Sequence, residues 1–192
     1  MLPVPARTPL SPICTGTQGA ESNDKNSPLV PGEPPDHALG RSRGGLTTKV
    51  HILADASCTP VLALTGPGQG GDNPMLAPLV TLIDPGSRRD FRLLADKAYS
   101  HPSTRAYLRA KGIKHTIPER SDQIARRKAK GSKGGRPPGF DAEVYKLRNT
   151  VERAMNRLKQ WRGLATRYDK YATTYRGGIT LAMIIATYRA RK

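Results

Sequence analysis

The 192-residue chain is poor in several things that whole classes of protein need. It has two cysteines, Cys14 and Cys58, too far apart in sequence for a Cys-x-x-Cys metal pair and too few for a disulfide framework, so a reducing, cytoplasmic setting is expected. Long hydrophobic runs are missing. The longest apolar stretch, Ile179 to Ala186, includes Thr180 and falls far short of the roughly 20 residues that a bilayer span requires, so no membrane partner is expected. The N-terminal MLPVPARTPLSPICTG has no apolar core of the kind a secretory signal carries. Aromatic residues make up 5% of the chain. Acid is the scarcest commodity relative to base: 15 Asp+Glu face 32 Lys+Arg, for a net charge of +17, which points away from small acidic metabolites and toward a polyanion.

The charge is unevenly placed. Residues 1–35 hold Arg7 and Lys25 against Glu21, Asp24 and Glu33, and are rich in proline without any run of three apolar residues. Such a segment buries too little surface to offset its ordering entropy, and a disordered tail is expected there. Residues 105–167 carry 18 lysines and arginines against five acids. Within them, 119–139 reads as a basic linker rich in glycine and proline, mobile without a ligand, with Arg136 in its GGRPPG segment. Residues 189–192 read as a short basic tail.

Between tail and linker the pattern alternates. KVHILAD (Lys49–Asp55) and VLALTG (Val61–Gly66) are β-branched or aliphatic runs joined by a short turn. Met75–Ile83 suits a helix entered after Pro74, with Asp72 or Asn73 as cap. A strand at Arg92–Ala95, a helix at Ser100–Lys111 with Ala106, Tyr107 and Leu108 inward, and a strand at Ile113–Ile117 follow. Asp141–Trp161 reads as one uninterrupted helix capped by Asp141, with Trp161 as a core anchor, and a last helix, Thr174–Tyr188, supplies Ile179, Ala182, Met183 and Ile185 to the core. Strands alternating with helices predict an α/β fold with a mixed sheet.

The Asp141 helix has three faces. At about 100° per residue, Tyr145, Arg148, Glu152 and Lys159 fall within about 60° of one another, beside a buried stripe of Val144, Leu147, Val151, Ala154, Met155 and Leu158, while Lys146, Arg153 and Arg157 share a third direction. Taken alone, Arg148 and Glu152 are an ordinary i, i+4 pair worth about 0.3–0.5 kcal/mol. A second carboxylate raises the interest: Asp96 directly follows the strand Leu93–Ala95, and strand ends are where α/β folds place chemistry. Two carboxylates from a strand end and a helix make an oxygen-donor set of the kind Mg²⁺ prefers.

GRSRGGLTTKVH, LTGPGQGGDNP, LLADKAYS, GSKGGRPPGFD and YKLRNTVERAMNRLKQWRGLATRYDK together resemble the corresponding stretches of bacterial insertion-sequence transposases of the DDE class, in the group named after insertion sequence five. The similarity covers about residues 33–188, and Tyr145, Arg148, Glu152 and Lys159 match the spacing of that group's last catalytic motif. The resemblance implies a ribonuclease-H-like mixed sheet flanked by helices, with residues 36–188 as a catalytic domain. It implies Asp96 and Glu152 as the second and third catalytic, metal-binding carboxylates of a two-Mg²⁺ site. It also implies DNA at the element ends and target as partner, a homodimer as a candidate assembly, and association with the nucleoid. Tyr145, Arg148, Lys159, Arg153, Arg157, Arg136 and, around the glycine-rich GRSRGG, Arg41, Arg43 and Lys49 are the candidate DNA contacts.

The match has one gap. The resemblance calls for a first aspartate in an Asp-Ser-Thr strand upstream of GRSRGG, and Asp24, Asp36 and Asp55 all stand in other contexts. A sheet lacking its first strand, an incomplete or inactive site and a change of reading frame near Gly32 are therefore expected. A non-catalytic basic DNA- or RNA-binding protein is the alternative that composition allows. A P-loop is excluded, since no Gly-Lys-Ser/Thr follows GRSRGG and a strand, not a helix, comes next. His37, His51, His101 and His115 lack the spacing of a zinc helix.

Overall fold

The computed structural model describes residues 11–18, 30–83 and 91–190. Strands β1 (Ser11–Gln18), β2 (Gly40–Ser42), β3 (Gly45–Ala54) and β4 (Pro60–Pro67) form an antiparallel sheet centred on β3. β1 lies along one edge of β3, from Ser11 opposite Ala54 to Gln18 opposite Thr47, and β2 and β4 share the other edge. After helix α1 (Leu76–Thr81) come β5 (Arg92–Leu94), α2 (Pro102–Ala110) and β6 (Lys114–Thr116); among the described residues β5 and β6 form a separate parallel pair joined through α2, and β5 comes into contact with β1 without pairing to it. Helices α3 (Ser121–Ala129), α4 (Ala142–Lys146), α5 (Asn149–Lys159), α6 (Arg162–Ala165) and α7 (Ala172–Ala190) complete the described chain. The fold is mixed α/β.

The alternation of side chains along β3 splits the core into two layers. Val50, Ile52 and Ala54 point to one face, where Val151, Ala154, Met155 and Leu158 of α5 and Tyr175, Ile179, Ala182 and Met183 of α7 cover them. Leu53 points to the other, into a cluster of Leu76, Leu79 and Val80 of α1, Leu93, Tyr99, Leu108, Ile113 and Ile117. Covering a sheet on both faces explains why KVHILAD reads as a nearly continuous apolar run.

Several expectations are corrected. Residues 11–18, expected in a disordered tail, are a strand, and they occupy the place beside β3 and β5 where an empty slot was expected. A hydrophobicity count misses the reason: an unpaired edge of β3 inside the molecule would strand a row of N–H and C=O groups, and SPICTGTQ, with β-branched residues and its one proline near the start, can pair with it. Residues 30–35 of that expected tail are turns and coil tied to the fold by Glu33, which accepts from Ala172 N and Thr173 N, and the rest, residues 1–10 and 19–29, lies outside the described residues. The linker expected over 119–139 contains α3 and a 3-10 turn at Gly131–Gly134, held by Arg127 on Glu119 at 2.6 Å. The basic tail expected from 189 begins inside α7, which runs to Ala190.

The single helix expected over 141–161 is two. Asp141 caps α4 through Val144 N at 3.1 Å, but the chain then tightens through i, i+3 bonds from Arg148 N to Tyr145 O and from Val151 N to Arg148 O before α5 begins. This turn rotates α4 relative to α5, so Val144 is half-buried and Leu147 is exposed rather than joining the stripe. Trp161, at the start of α6, is exposed, and Ile185 is half-buried. Ala106 is exposed while Leu108 is buried, as three consecutive helical residues cannot share one face.

Candidate active site

The end of β5 and the start of α5 bring the two expected carboxylates together. Ala95 N bonds to Thr116 O at 3.4 Å, fixing the strand end, and Asp96 turns the chain into a 3-10 turn by accepting from Lys97 N at 2.5 Å. Opposite it, Val151, Ala154 and Met155 press α5 onto β3, which leaves the other side of that helix, with Glu152, toward solvent. Arg148 stands between the two acids. Its Nη1 is 2.6 Å from Glu152 Oε1 and its Nη2 is 3.5 Å from Asp96 Oδ2. The arginine side chain is 22% exposed, against 42% for Asp96 and 50% for Glu152, so the cation is the seated member and both carboxylates keep solvent-facing oxygens.

Tyr145 joins this cluster from α4. Burial pushes its hydroxyl above the ordinary tyrosine range, and the negative charges of Asp96 and Glu152 push the same way against the opposing pull of Arg148. Phe140 packs on its ring with centroids 5.2 Å apart. Lys159 lies two turns beyond Glu152, about 10.5 Å along the axis, exposed at the mouth of a small apolar cavity with Val50, Leu158 and Tyr175.

The remaining expected contacts are spread out. Arg41 and Arg43 are exposed on the β2–β3 hairpin, and Arg136 is exposed in the segment before α4. Lys49 is engaged inside the protein, with Nζ at 2.7 Å from Gly70 O and 2.9 Å from Asp72 Oδ1, so Asp72 holds the loop after β4 through Lys49 and makes no side-chain cap for the following helix. Arg153 is exposed, whereas Arg157 reaches back to Cys58 O at 3.3 Å in the β3–β4 turn. Sequence reasoning missed the pair that ties α4 to the sheet: Arg92 Nη1 and Asp141 Oδ2 are 3.0 Å apart. Their 49-residue separation leaves no local pattern to find.

Among the described residues no group of three or more His, Cys, Asp or Glu converges as a metal site. Asp96 and Glu152 supply two carboxylates, a donor set that fits one Mg²⁺ completed by water and phosphate oxygens. β1, the strand next to β5, contributes no third: its sequence, SPICTGTQ, holds no Asp or Glu. No helix among the described residues is long and apolar enough to cross a membrane.

Comparison with known proteins places this cluster in context. The Mos1 transposase structures are similar at low level: a pre-cleavage transpososome at 13% identity and TM-score 0.38, and a mariner paired end complex with Mn at 16% and 0.39. These matches cover 96% and 93% of this chain, which spans about half of the Mos1 chains, 56% and 53%. A Brucella ovis protein assigned as transposase for insertion sequence element IS6501 is 31% identical over 137 residues, 71% of this chain and 95% of that protein. The transposase DDE domain family matches residues 18–186, taking in Asp96, Arg148 and Glu152, and with that span the chain belongs to this family of insertion-element transposases.

Proposed function

We propose that this chain acts on the DNA ends of an insertion element, in the group named after insertion sequence five, with a metal site that is incomplete in this polypeptide. The carrying observation is the Asp96–Arg148–Glu152 cluster: a strand-end carboxylate and a helix carboxylate gathered on one guanidinium, exposed, within the spacing Tyr145, Arg148, Glu152, Lys159. Asp96 and Glu152 would hold Mg²⁺. When bound, the ion lowers the pKa of the attacking water or 3′-hydroxyl and stabilises the leaving oxygen of the phosphodiester. Arg148 neutralises the two carboxylates in its absence and can turn to a phosphate oxygen, bidentate recognition being what a guanidinium does well. Lys159 meets a phosphate further along the strand, and Tyr145, backed by Phe140, packs on a sugar or base.

The lack of any acid in β1 supports the incomplete site, and a reading-frame change near Gly32 would account for it. A homodimer bound to DNA in the nucleoid completes the proposal, the exposed Leu181, Ile184 and Tyr188 of α7 offering apolar surface for it. The test is cleavage of element-end DNA in Mg²⁺ or Mn²⁺. This chain is expected to cut little or nothing, whereas a fusion in which the other-frame Asp-Ser-Thr strand replaces residues 1–32 is expected to cut and to lose activity with Asp96→Ala or Glu152→Ala. Cleavage by the chain itself, abolished by Asp96→Ala, would show the site to be complete. A fusion that binds end DNA and never cuts it would remove the transposase reading.

A further inference from the structure

Positive charge also gathers around a cavity away from the carboxylates. An open cavity of about 680 Å³ lies against the outer strand β6, walled by Arg92 of β5, Arg105 and Arg109 of α2, Lys114 of β6, and Phe140 and Asp141 of the segment leading into α4. Four arginine and lysine side chains face one carboxylate there, and that carboxylate, Asp141, is already paired with Arg92 at 3.0 Å. Arg105 is buried and anchored, donating to Ile117 O at 2.8 Å, so it is a fixed charge at the base of the cavity. Arg109 and Lys114 are exposed at its rim. His115, in the same wall, is held below its ordinary pKa chiefly by burial, with the charges of Arg105 and Arg109 pushing the same way against its bond to Ile113 O. Arg92 and Arg105 are held by Asp141 and Ile117 O, whereas Arg109 and Lys114 add further like charge at the rim, where like charges repel.

We propose that this cavity is a second DNA contact, taking phosphates of one strand on Arg109 and Lys114 and one nucleotide's base or sugar against Phe140. The inference rests on the DNA-acting reading above and deepens it. Phe140 is 47% exposed, so its ring is available on one side for stacking, while it packs on Tyr145 of the carboxylate cluster. The two places are therefore joined by a continuous aromatic bridge. Arg92 precedes Asp96 by four residues, about 13 Å at strand rise, and one DNA strand presents a phosphate about every 3.4 Å along the axis. A strand crossing both sites thus covers the distance from the carboxylates to the cavity within a few nucleotides. The Arg92–Asp141 pair is the positioning element, since it holds the Phe140 wall to the sheet.

The test is metal-free binding of the full chain to a labelled 30-nucleotide duplex and to its single strand, read by fluorescence anisotropy across a salt series. Arg109→Ala with Lys114→Ala should weaken both by about tenfold and lower the salt slope by about 1.8, the value for two lost phosphate contacts on duplex. Phe140→Ala should weaken the single strand by about fivefold or more and the duplex less. Lys114→Glu, at an exposed position of an outer strand, gives the same readout should the double variant melt early. As control, Arg162→Ala with Arg189→Ala removes two exposed charges elsewhere and should change affinity less than about twofold. Equal losses in the cavity pair and the control would overturn the proposal while leaving DNA binding itself in place. Absence of DNA binding by the unaltered chain would instead remove the DNA-acting reading and this inference with it. Displacement of DNA by millimolar inorganic phosphate at constant ionic strength, lost in the cavity variant, would replace the DNA strand with a small free anion and overturn the proposal.

Discussion

Arg148 and Arg167 each draw together segments far apart in the sequence, and their surroundings differ in almost every other respect. Arg167 is 1% exposed, and it donates to His37 O, Asp169 O and Lys170 O and to Thr48 Oγ1, with the Tyr175 ring 5.2 Å away. Its acceptors are mostly main-chain carbonyls of part-buried loops. Arg148 faces two exposed carboxylates, and its buried Nε has no hydrogen-bond partner among the described residues. One arginine is satisfied and enclosed, as a structural cation must be. The other is held by groups that themselves retain free oxygens, an arrangement that can be rearranged by a ligand at little cost.

The comparison breaks most visibly at Arg167. Replacing it with Met removes the donor from the part-buried carbonyls of His37, Asp169 and Lys170 and from the buried Thr48 hydroxyl, and should cost about 3 kcal/mol in denaturant unfolding. A loss below about 1 kcal/mol would mean that water or a shifted loop replaces the guanidinium.

Acid reaches the same region through Glu33. Its carboxylate accepts from Ala172 N at 2.6 Å, from Thr173 N and Thr173 Oγ1 at 2.8 Å, and pairs with His37 Nδ1 at 2.7 Å, so it caps α7 from a segment about 140 residues earlier. Burial alone would raise its pKa, but the N–H groups of Thr173 and Ala172, with the His37 and Thr173 side chains, outweigh that and hold it at about 2 against an ordinary 4.5. A carboxylate depressed in the folded state contributes stability that is fully present above pH 4.5 and is lost as pH falls through 2. At 1.36 kcal/mol per unit this is about 3 kcal/mol at most. His51, buried and pushed down to about 4 from 6.5, adds an earlier loss between those two values because the unfolded chain takes up the proton first. Melting temperatures from pH 7 to pH 2 should fall in these two stages, and Glu33→Gln should flatten only the lower one.

The contrast also explains what was legible in the sequence. Arg148 and Glu152 are four residues apart, so helical spacing reveals their pairing, and Asp96 announces itself by ending an aliphatic strand, whereas Tyr145 reaches the cluster from the separate helix α4 and Lys159 stands apart from it. Val151, Ala154, Met155 and Leu158 are buried as their periodicity predicts. Arg167 and Glu33 serve partners scattered over the chain, and carbonyl groups carry no sequence signal at all. Glu33 falls in a segment whose prolines and lack of apolar runs predict disorder, and nothing local announces its partners on α7. β1 was missed because pairing with β3 depends on an available edge more than on its own hydrophobicity. The turn at Leu147–Arg148 was missed because neither residue is a helix breaker; the bend is visible only in the i, i+3 bonds.

The smallest effect on stability is expected at Arg148 itself. Both of its partners are substantially exposed, and ion pairs of that kind contribute about 0–1 kcal/mol, so Arg148→Ala should shift the unfolding free energy by less than about 1 kcal/mol. Its effect on cation binding should be larger than its effect on folding. Without the guanidinium, Asp96 and Glu152 would face each other uncompensated, and a divalent cation would relieve the repulsion that the arginine relieves now. Mn²⁺ titration followed by electron paramagnetic resonance should therefore show tighter binding to Arg148→Ala than to the unaltered chain, with the gain lost on adding Glu152→Gln. Weaker Mn²⁺ binding in Arg148→Ala would mean that the arginine organises the two carboxylates for the ion rather than competing with it, and the likeness to a removable counter-ion would fail at the point where Arg148 and Arg167 differ most.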